Sequence, residues 1–263
     1  MNHPRGWDTD VSSQRKLKSY EVERCWYQNY VPSLPEEVKV PELMGYYENE
    51  GDTTLVMEDL KGSGFIHDFC ASSEDSFQSC LEWLASFHAF HMGMEPKGLW
   101  DIGTYWHLDT RQEELKVMSE CVLRDQAKKI DKTLNSCKYK TLVHGDAKPA
   151  NFLFNSEGQA AAVDFQYVGG GCGMKDLVYL MSSALDEEDL FKRDSEIIER
   201  YFELLKSAMD VYDVRYVDFG QLKEEWTSMY KYAWLDFVRF LEGWSPGHSR
   251  LNSYTKQLMF SPM

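Results

Sequence analysis

Two carboxylates and a carboxamide stand at the spacing that phosphoryl transfer uses. They lie in Leu142-Val143-His144-Gly145-Asp146-Ala147-Lys148-Pro149-Ala150-Asn151-Phe152-Leu153-Phe154, followed by Ala162-Val163-Asp164-Phe165-Gln166. Asp146 can accept the proton of an attacking hydroxyl group. Asn151 and Asp164 can hold magnesium against the phosphates of a nucleotide. Lys148, two positions after Asp146, can stabilise charge on the transferring group. A positioned base contributes roughly 10²–10⁴-fold, and cations neutralise developing charge, so these few side chains would supply much of the catalysis.

A hairpin must position them. The apolar runs Phe152–Phe154 and Ala160–Val163 flank the turn-forming Asn155-Ser156-Glu157-Gly158. With Asn155 facing Gly158, Asn151 lies opposite Ala162 and Asp164 is the next same-face position. Diagonal neighbours of that kind sit roughly 7–8 Å apart, within reach of one metal cluster. A register slip of one residue would send the two side chains to opposite faces.

Around the hairpin, residues from about Ser12 to Tyr30 read as a helix with Leu17, Tyr20, Cys25 and Tyr27 among its apolar positions. Val38 to Tyr47 and Thr53 to Glu58 read as strands joined by the turn residues Glu48-Asn49-Glu50-Gly51-Asp52. Leu60 to Gly64 connects to a helix opened by Ser72-Ser73-Glu74-Asp75, where Ser72 and Asp75 have capping-box spacing. Phe77, Leu81, Leu84, His88 and His91 share one face of it, which predicts core packing for both histidines rather than a metal site. A further helix is expected over Arg111 to Lys132, and nearly continuous helix from Asp176 onward. The fold class is therefore α+β with two lobes: residues 1–60 a small, partly β piece and 61–263 a large helical piece carrying the hairpin.

Bulk properties narrow the function. At 263 residues with 43% hydrophobic and 27% charged residues, the chain is globular rather than disordered. A formal net charge of -15 argues against nucleic acid or an anionic membrane as partner, and is compatible with an amine-bearing substrate. No apolar run reaches the roughly 20 residues of a membrane span. The six cysteines are scattered without a CxxC pair, so a reduced, cytoplasmic setting is expected.

His144-x-Asp146-x-x-x-x-Asn151 with Asp164-Phe165-Gln166 resembles the catalytic and metal-binding loops of the protein-kinase-like fold. Gly145 and Gln166 resemble its small-molecule branch: choline kinases, aminoglycoside phosphotransferases and the ecdysteroid-kinase-like group. Those two residues, and the lack of a long phosphorylatable segment, count against a protein kinase. Leu55-Val56-Met57-Glu58-Asp59-Leu60 resembles the last N-lobe strand and hinge, which implies adenine contacts from Met57, Glu58, Asp59 and Leu60. Leu84-Ala85-x-x-His88-Ala89 resembles the first C-lobe helix, and Gly103-Thr104-Tyr105-Trp106 is similar to a segment of such sequences. By the same resemblance Asp176 braces the catalytic loop and His144 orients it. Glu23 matches the helix glutamate that pairs with a phosphate-gripping lysine.

The resemblance also implies a glycine-rich strand pair and a strand lysine ahead of Glu23, which residues 1–22 do not spell; the start of the N-lobe is expected to be missing. Lys16 and Lys18 share a helix with Glu23, so neither is expected to replace that lysine. Gly169-Gly170-Gly171-Cys172-Gly173 lacks the order of a phosphate loop and is expected as a flexible activation-segment loop. Tyr105, Trp106, Trp226, Trp234, Phe237 and Trp244 are open to two readings, substrate pocket or core. The implied activity is ATP- and Mg2+-dependent phosphate transfer to a small-molecule alcohol. The alternative is a non-catalytic binding module of the same fold.

Overall fold

A computed structural model describes residues 10–49, 52–70 and 73–260. Helix α1 (Asp10–Asn29) precedes a two-stranded antiparallel ribbon, β1 (Leu43–Asn49) and β2 (Asp52–Met57). The larger part begins with β3 (His67–Asp68) and α2 (Glu74–Phe90), then the short α3 (Gln112–Val117) and α4 (Val122–Asn135). The hairpin β5 (Phe152–Phe154)–β6 (Ala160–Ala162) pairs with β3, while β4 (Thr141–Val143) pairs with β7 (Gly169–Gly171). Four helices close the chain: α5 (Met174–Ala184), α6 (Glu187–Val211), α7 (Phe219–Trp244) and α8 (Ser253–Phe260). The α+β class with a small first lobe and a helical second lobe is as expected. No described helix is long and apolar enough to cross a membrane.

Local chemistry explains the main helices. Glu74 and Asp75 lie in the first turn of α2, where carboxylates offset the unpaired amides and the helix dipole. Phe77, Leu81, Leu84 and His88 then recur at steps of four and three and are buried. Asp186 and Asp218 cap α6 and α7 by accepting from the amides of Asp189 and Gln221. Helix α2 packs on α6, and α7 runs along α3, α4 and α5. Trp106, Trp226, Trp234 and Phe237 are core residues, whereas Tyr105 is half-buried and Trp244 exposed.

Several expectations are corrected. In α1 Tyr27 is buried as expected and Cys25 half-buried, but Leu17 and Tyr20 are exposed, and burial falls also on Ser12, Ser19, Val22 and Trp26, spaced seven, three and four. Ser19 tolerates complete burial because its hydroxyl donates to the Lys16 carbonyl (2.8 Å). The first strand starts at Leu43 rather than Val38, since Pro41 interrupts the run and cannot donate to a ladder. The helix expected over Arg111 to Lys132 is two helices. Met118 turns extended to bury its side chain, and Arg124 donates to its carbonyl (3.0 Å). Ser72 lies outside the described residues, as do Glu50 and Gly51; Ser73 is the N-cap of α2 but makes no side-chain cap bond.

The glycine stretch is not a flexible loop. Gly169–Gly171 is a buried strand on β4, and an added Cβ at Gly169 would stand 2.2 Å from the Trp100 carbonyl. Glycine is needed there because the 100–103 backbone lies directly on the strand.

Candidate active site

The hairpin carries the site in a register one residue from the expected one. Phe152 pairs with Ala162 and Phe154 with Ala160, so Asn151 faces Val163. The cause is the turn: Gly158 takes a left-handed conformation (φ 82) and Asn155 meets Gln159 across a three-residue loop. Strand alternation does not then divide Asn151 from Asp164. Asn151 sits in a 3₁₀ turn (Pro149–Asn151), and Asp164 has φ 70, a conformation aspartate tolerates better than most residues. The Val163 amide donates to the Asn151 carbonyl (3.0 Å), which holds the two ends together.

Asp146, Lys148 and Asn151 converge. Lys148 Nζ donates to Asp146 Oδ2 at 2.7 Å, and Asn151 Nδ2 donates to Asp146 Oδ2 (3.0 Å) and to its carbonyl (2.9 Å). Burial raises the Asp146 pKa, against the lowering effect of Lys148 and with a further push from Asp164. Burial disfavours the Lys148 ammonium, yet Asp146 outweighs it and the lysine pKa rises. With its nitrogen committed to Asp146, Asn151 has only Oδ1 left for a cation. Neither that oxygen nor the Asp164 carboxylate has a hydrogen-bond donor or ion-pair partner among the described residues. This donor set fits magnesium, which takes one or two protein oxygens and fills its shell with phosphate and water. Among the described residues no group of three or more His, Cys, Asp or Glu is arranged to hold a metal alone.

The loop is braced from behind. The Asp176 carboxylate accepts from the amides of His144 (2.6 Å) and Gly145 (2.9 Å), and His88 Nε2 lies 3.1 Å from it. His88 Nδ1 meets Tyr201 Oη at 2.7 Å, so a Tyr201–His88–Asp176 line reaches the His144–Gly145 backbone. Hydropathy identified His88 only as a core residue. His91 is a core residue too, bonded to the Phe87 carbonyl (2.8 Å) and kept neutral by burial, its pKa lowered to about 4. His144 has both ring nitrogens on backbone: Nδ1 accepts from the Asp146 amide (3.2 Å), and Nε2 pairs with the Val163 carbonyl (3.0 Å). It ties the loop to the strand before Asp164 and is not placed as a base. At Gly145 (φ 81) a Cβ would meet the Tyr167 carbonyl at 2.2 Å.

Glu23 reaches the Asp164-Phe165-Gln166 segment. Burial and the Asp164 charge raise its pKa to about 7, against hydrogen bonds from the Phe165 amide and the Gln166 side chain. Gln166 Oε1 in turn accepts from Lys16 Nζ (3.0 Å). Phe165 stacks on Trp26 of α1 (ring centroids 4.6 Å), which fixes that segment against the first helix. The contact between Lys16 and Gln166 was not apparent from sequence, where the lysine stood out only by sharing a helix with Glu23.

The residues expected at the hinge, Met57 to Leu60, make their contacts elsewhere. Leu60 is buried with Phe65 and Ala161 and touches Leu153 and Val163, so it packs directly on the hairpin. Glu58 is tied to Lys39 (2.7 Å), Asp59 caps the Lys61 amide (3.1 Å), and Met57 is exposed. On the other side of Asp146, the Tyr105 amide donates to the Gly145 carbonyl (3.2 Å), and Tyr105 Oη meets Tyr179 Oη at 3.2 Å. A cavity of about 590 Å³ opens elsewhere, between α2, α6 and the hairpin tip; Asp146, Lys148, Asn151 and Asp164 do not line it.

Comparison with known proteins bears on this arrangement. In fold the chain is similar to a microcompartment-associated aminopropanol kinase, with TM-score 0.56 and 14% identity over 98% of this chain and 81% of that one. It is also similar to amicoumacin kinase hAmiN in complex with AMP-PNP, Ca2+ and Ami, with TM-score 0.52 and 11% identity over 95% and 78% of the chains. At such identities the likeness is one of fold. No curated protein matches the sequence. The family model for the phosphotransferase enzyme family (APH) matches residues 9–214, most of the chain, and the chain belongs to that family.

Proposed function

We propose that this protein transfers the γ-phosphate of ATP to a hydroxyl group of a small molecule, with Mg2+. In this reading Asp146 takes the hydroxyl proton as the oxygen bonds to the γ-phosphorus. The bond from phosphorus to the bridging oxygen breaks, and ADP leaves with that electron pair. Lys148 holds the Asp146 carboxylate in place and stabilises charge on the moving group. Asn151 Oδ1 and Asp164 would hold the cation, which neutralises charge on the phosphates. Leu60 and its neighbours Met57, Glu58 and Asp59 would offer adenine contacts, and Glu23 would support the Asp164 segment. Residues 1–60 would then form the nucleotide-facing lobe and 61–263 the lobe for the hydroxyl compound.

The observation that carries this reading is the pair of unpartnered acceptors, the Asp164 carboxylate and Asn151 Oδ1, beside an Asp146 whose carboxylate is already held. A half-buried carboxylate with no direct ion-pair or hydrogen-bond partner among the described residues, reached only by the more distant charge of Lys148, is costly unless a cation completes it. Thermal denaturation with ATP and Mg2+ tests it. Nucleotide at 100 times its Kd adds about 2.7 kcal/mol, or roughly 5–10 °C for a chain of this size. The wild type should shift by that order, and Asp164→Ala should lose most of the Mg2+-dependent part. No shift at millimolar nucleotide would favour a non-catalytic binding module instead.

A further inference from the structure

Asp146 has two sides. Toward Glu23 and Asp164 the neighbours are acidic and await a cation. Toward Tyr105 and Tyr179 they are aromatic hydroxyls and a guanidinium. Tyr105 is held against the loop through the Gly145 carbonyl, and its hydroxyl touches that of Tyr179 (3.2 Å). The guanidinium carbon of Arg250 lies 5.5 Å from the Tyr179 ring centroid and 5.8 Å from that of Phe237. Its stem is therefore fixed on the wall of this side. The guanidinium makes no hydrogen bond or ion pair among the described residues, unlike Arg111 behind Tyr105, which is engaged by Glu114 (3.1 Å) and the Tyr105 carbonyl (2.6 Å). Arg250 itself is half-buried. The charges of Asp146 and Arg250 both reach the two phenols, with opposite effect.

Backbone strain supports a built wall. Thr104, immediately before Tyr105, has φ 108, which is unfavourable for a β-branched residue, and its buried hydroxyl has no partner. The conformation is held by the Thr104 amide on the Tyr167 carbonyl (3.2 Å).

We infer that the hydroxyl compound carries an anionic group, a carboxylate in its simplest form, which the free guanidinium of Arg250 binds across the Tyr105–Tyr179 pair while the hydroxyl reaches Asp146. Arginine suits this task because its planar fork donates two parallel hydrogen bonds to a carboxylate. The assignment rests on the phosphate-transfer reading above and narrows its substrate class. It also runs against the amine-bearing substrate that the net charge had suggested: the relevant charge is the local one.

The test uses hydroxy acids of differing length (glycerate, 4-hydroxybutyrate and 4-(hydroxymethyl)benzoate), each beside its amide and its amine counterpart. Phosphate transfer from ATP and thermal shift without nucleotide are read for wild type, Arg250→Gln, Arg250→Lys and Asp146→Asn. The expected result is a kcat/KM about 10- to 100-fold higher for at least one acid than for its amide and amine. Arg250→Gln should collapse that ratio through KM for the acid without changing KM for ATP. Arg250→Lys, which keeps the charge and most of the packing, should restore part of it. Asp146→Asn should lose transfer and keep the acid-induced thermal shift.

Equal turnover of acids, amides and amines, or a preference for the amines, overturns the inference and leaves the transfer reading standing. An effect of Arg250→Gln on ATP rather than on the acid also overturns it. Acid-induced stabilisation lost in Arg250→Gln, without transfer to any compound, would keep the anion site and sink the transfer reading. Neither stabilisation nor turnover would sink both.

Discussion

Asp146 is a buried carboxyl group and Glu23 a half-buried one, both within reach of the Asp164 charge, and their surroundings treat them differently. Asp146 is raised by burial but keeps Lys148 at 2.7 Å, whose ammonium favours the charged carboxylate and offsets part of that rise. Glu23 has no cation on its carboxylate; burial and Asp164 raise it from 4.5 to about 7. A carboxyl whose folded pKa is raised adds stability below its unfolded pKa. It loses that contribution as pH rises through the folded value. Glu23 therefore favours the fold below about pH 4.5 and progressively less up to about pH 7 and beyond. Without divalent cation, Glu23→Gln is expected to melt higher than wild type at pH 8, with the difference vanishing near pH 4.5. Melting curves across that range check it, and a variant less stable at pH 8 would show that the Phe165 and Gln166 hydrogen bonds outweigh the charge. The types and spacing of Asp146, Lys148, Asn151 and Asp164 were legible in the sequence because the loop chemistry is local. The placement of Arg250 was not, since it depends on the packing of Tyr179 and Phe237, which lie on helices distant in sequence.

At the scale of elements, the loop that carries Asp146 is held by a bracket and a close approach. The bracket is Asp176 at the start of α5, which accepts two successive loop amides. Hydrogen bonds to a charged group are worth about 1.5–3 kcal/mol each. Asp176→Asn should therefore lower Tm by several degrees and reduce kcat, while Mg2+-ATP stabilisation should persist because Asn151 and Asp164, the proposed cation ligands, remain. Loss of nucleotide binding in that variant would assign Asp176 a more direct role. The close approach is at Gly145, where a side chain would meet the Tyr167 carbonyl in a left-handed backbone. Gly145→Ala should cost about 2–3 kcal/mol, roughly 5–10 °C in Tm, measured by thermal denaturation; an unchanged Tm would mean the 145 and 167 backbones separate freely.

Element existence was readable where periodicity is strong, as in α2 and the long C-terminal helices. The hairpin register was not, because one glycine's left-handed turn adds a residue to the loop without altering hydropathy. The buried face of α1 was hidden for another reason: two of its members are serines, which hydropathy assigns to solvent although Ser19 satisfies its hydroxyl on the Lys16 carbonyl of the same helix.

Across the whole molecule, the net charge of -15 coexists with Lys16, Lys148, Arg111 and Arg250 placed around the catalytic segment. Bulk charge governs solubility and encounter, whereas recognition depends on the charges facing the site. Helix α1 joins the first lobe to the Asp164-Phe165-Gln166 segment through Trp26, Glu23 and Lys16, and the Leu60 cluster joins the hinge to the same hairpin. Both lobes therefore bear on the segment that carries Asp146, Asn151 and Asp164. The most direct measurement is transfer of the γ-phosphate of labelled ATP to the hydroxy-acid and alcohol panel, for wild type against Asp146→Ala at equal concentration of folded protein. Mg2+-dependent transfer by the wild type, reduced roughly 10²–10⁴-fold in the variant, is the predicted result. Equal rates in the two proteins would contradict the assignment of Asp146 as the base.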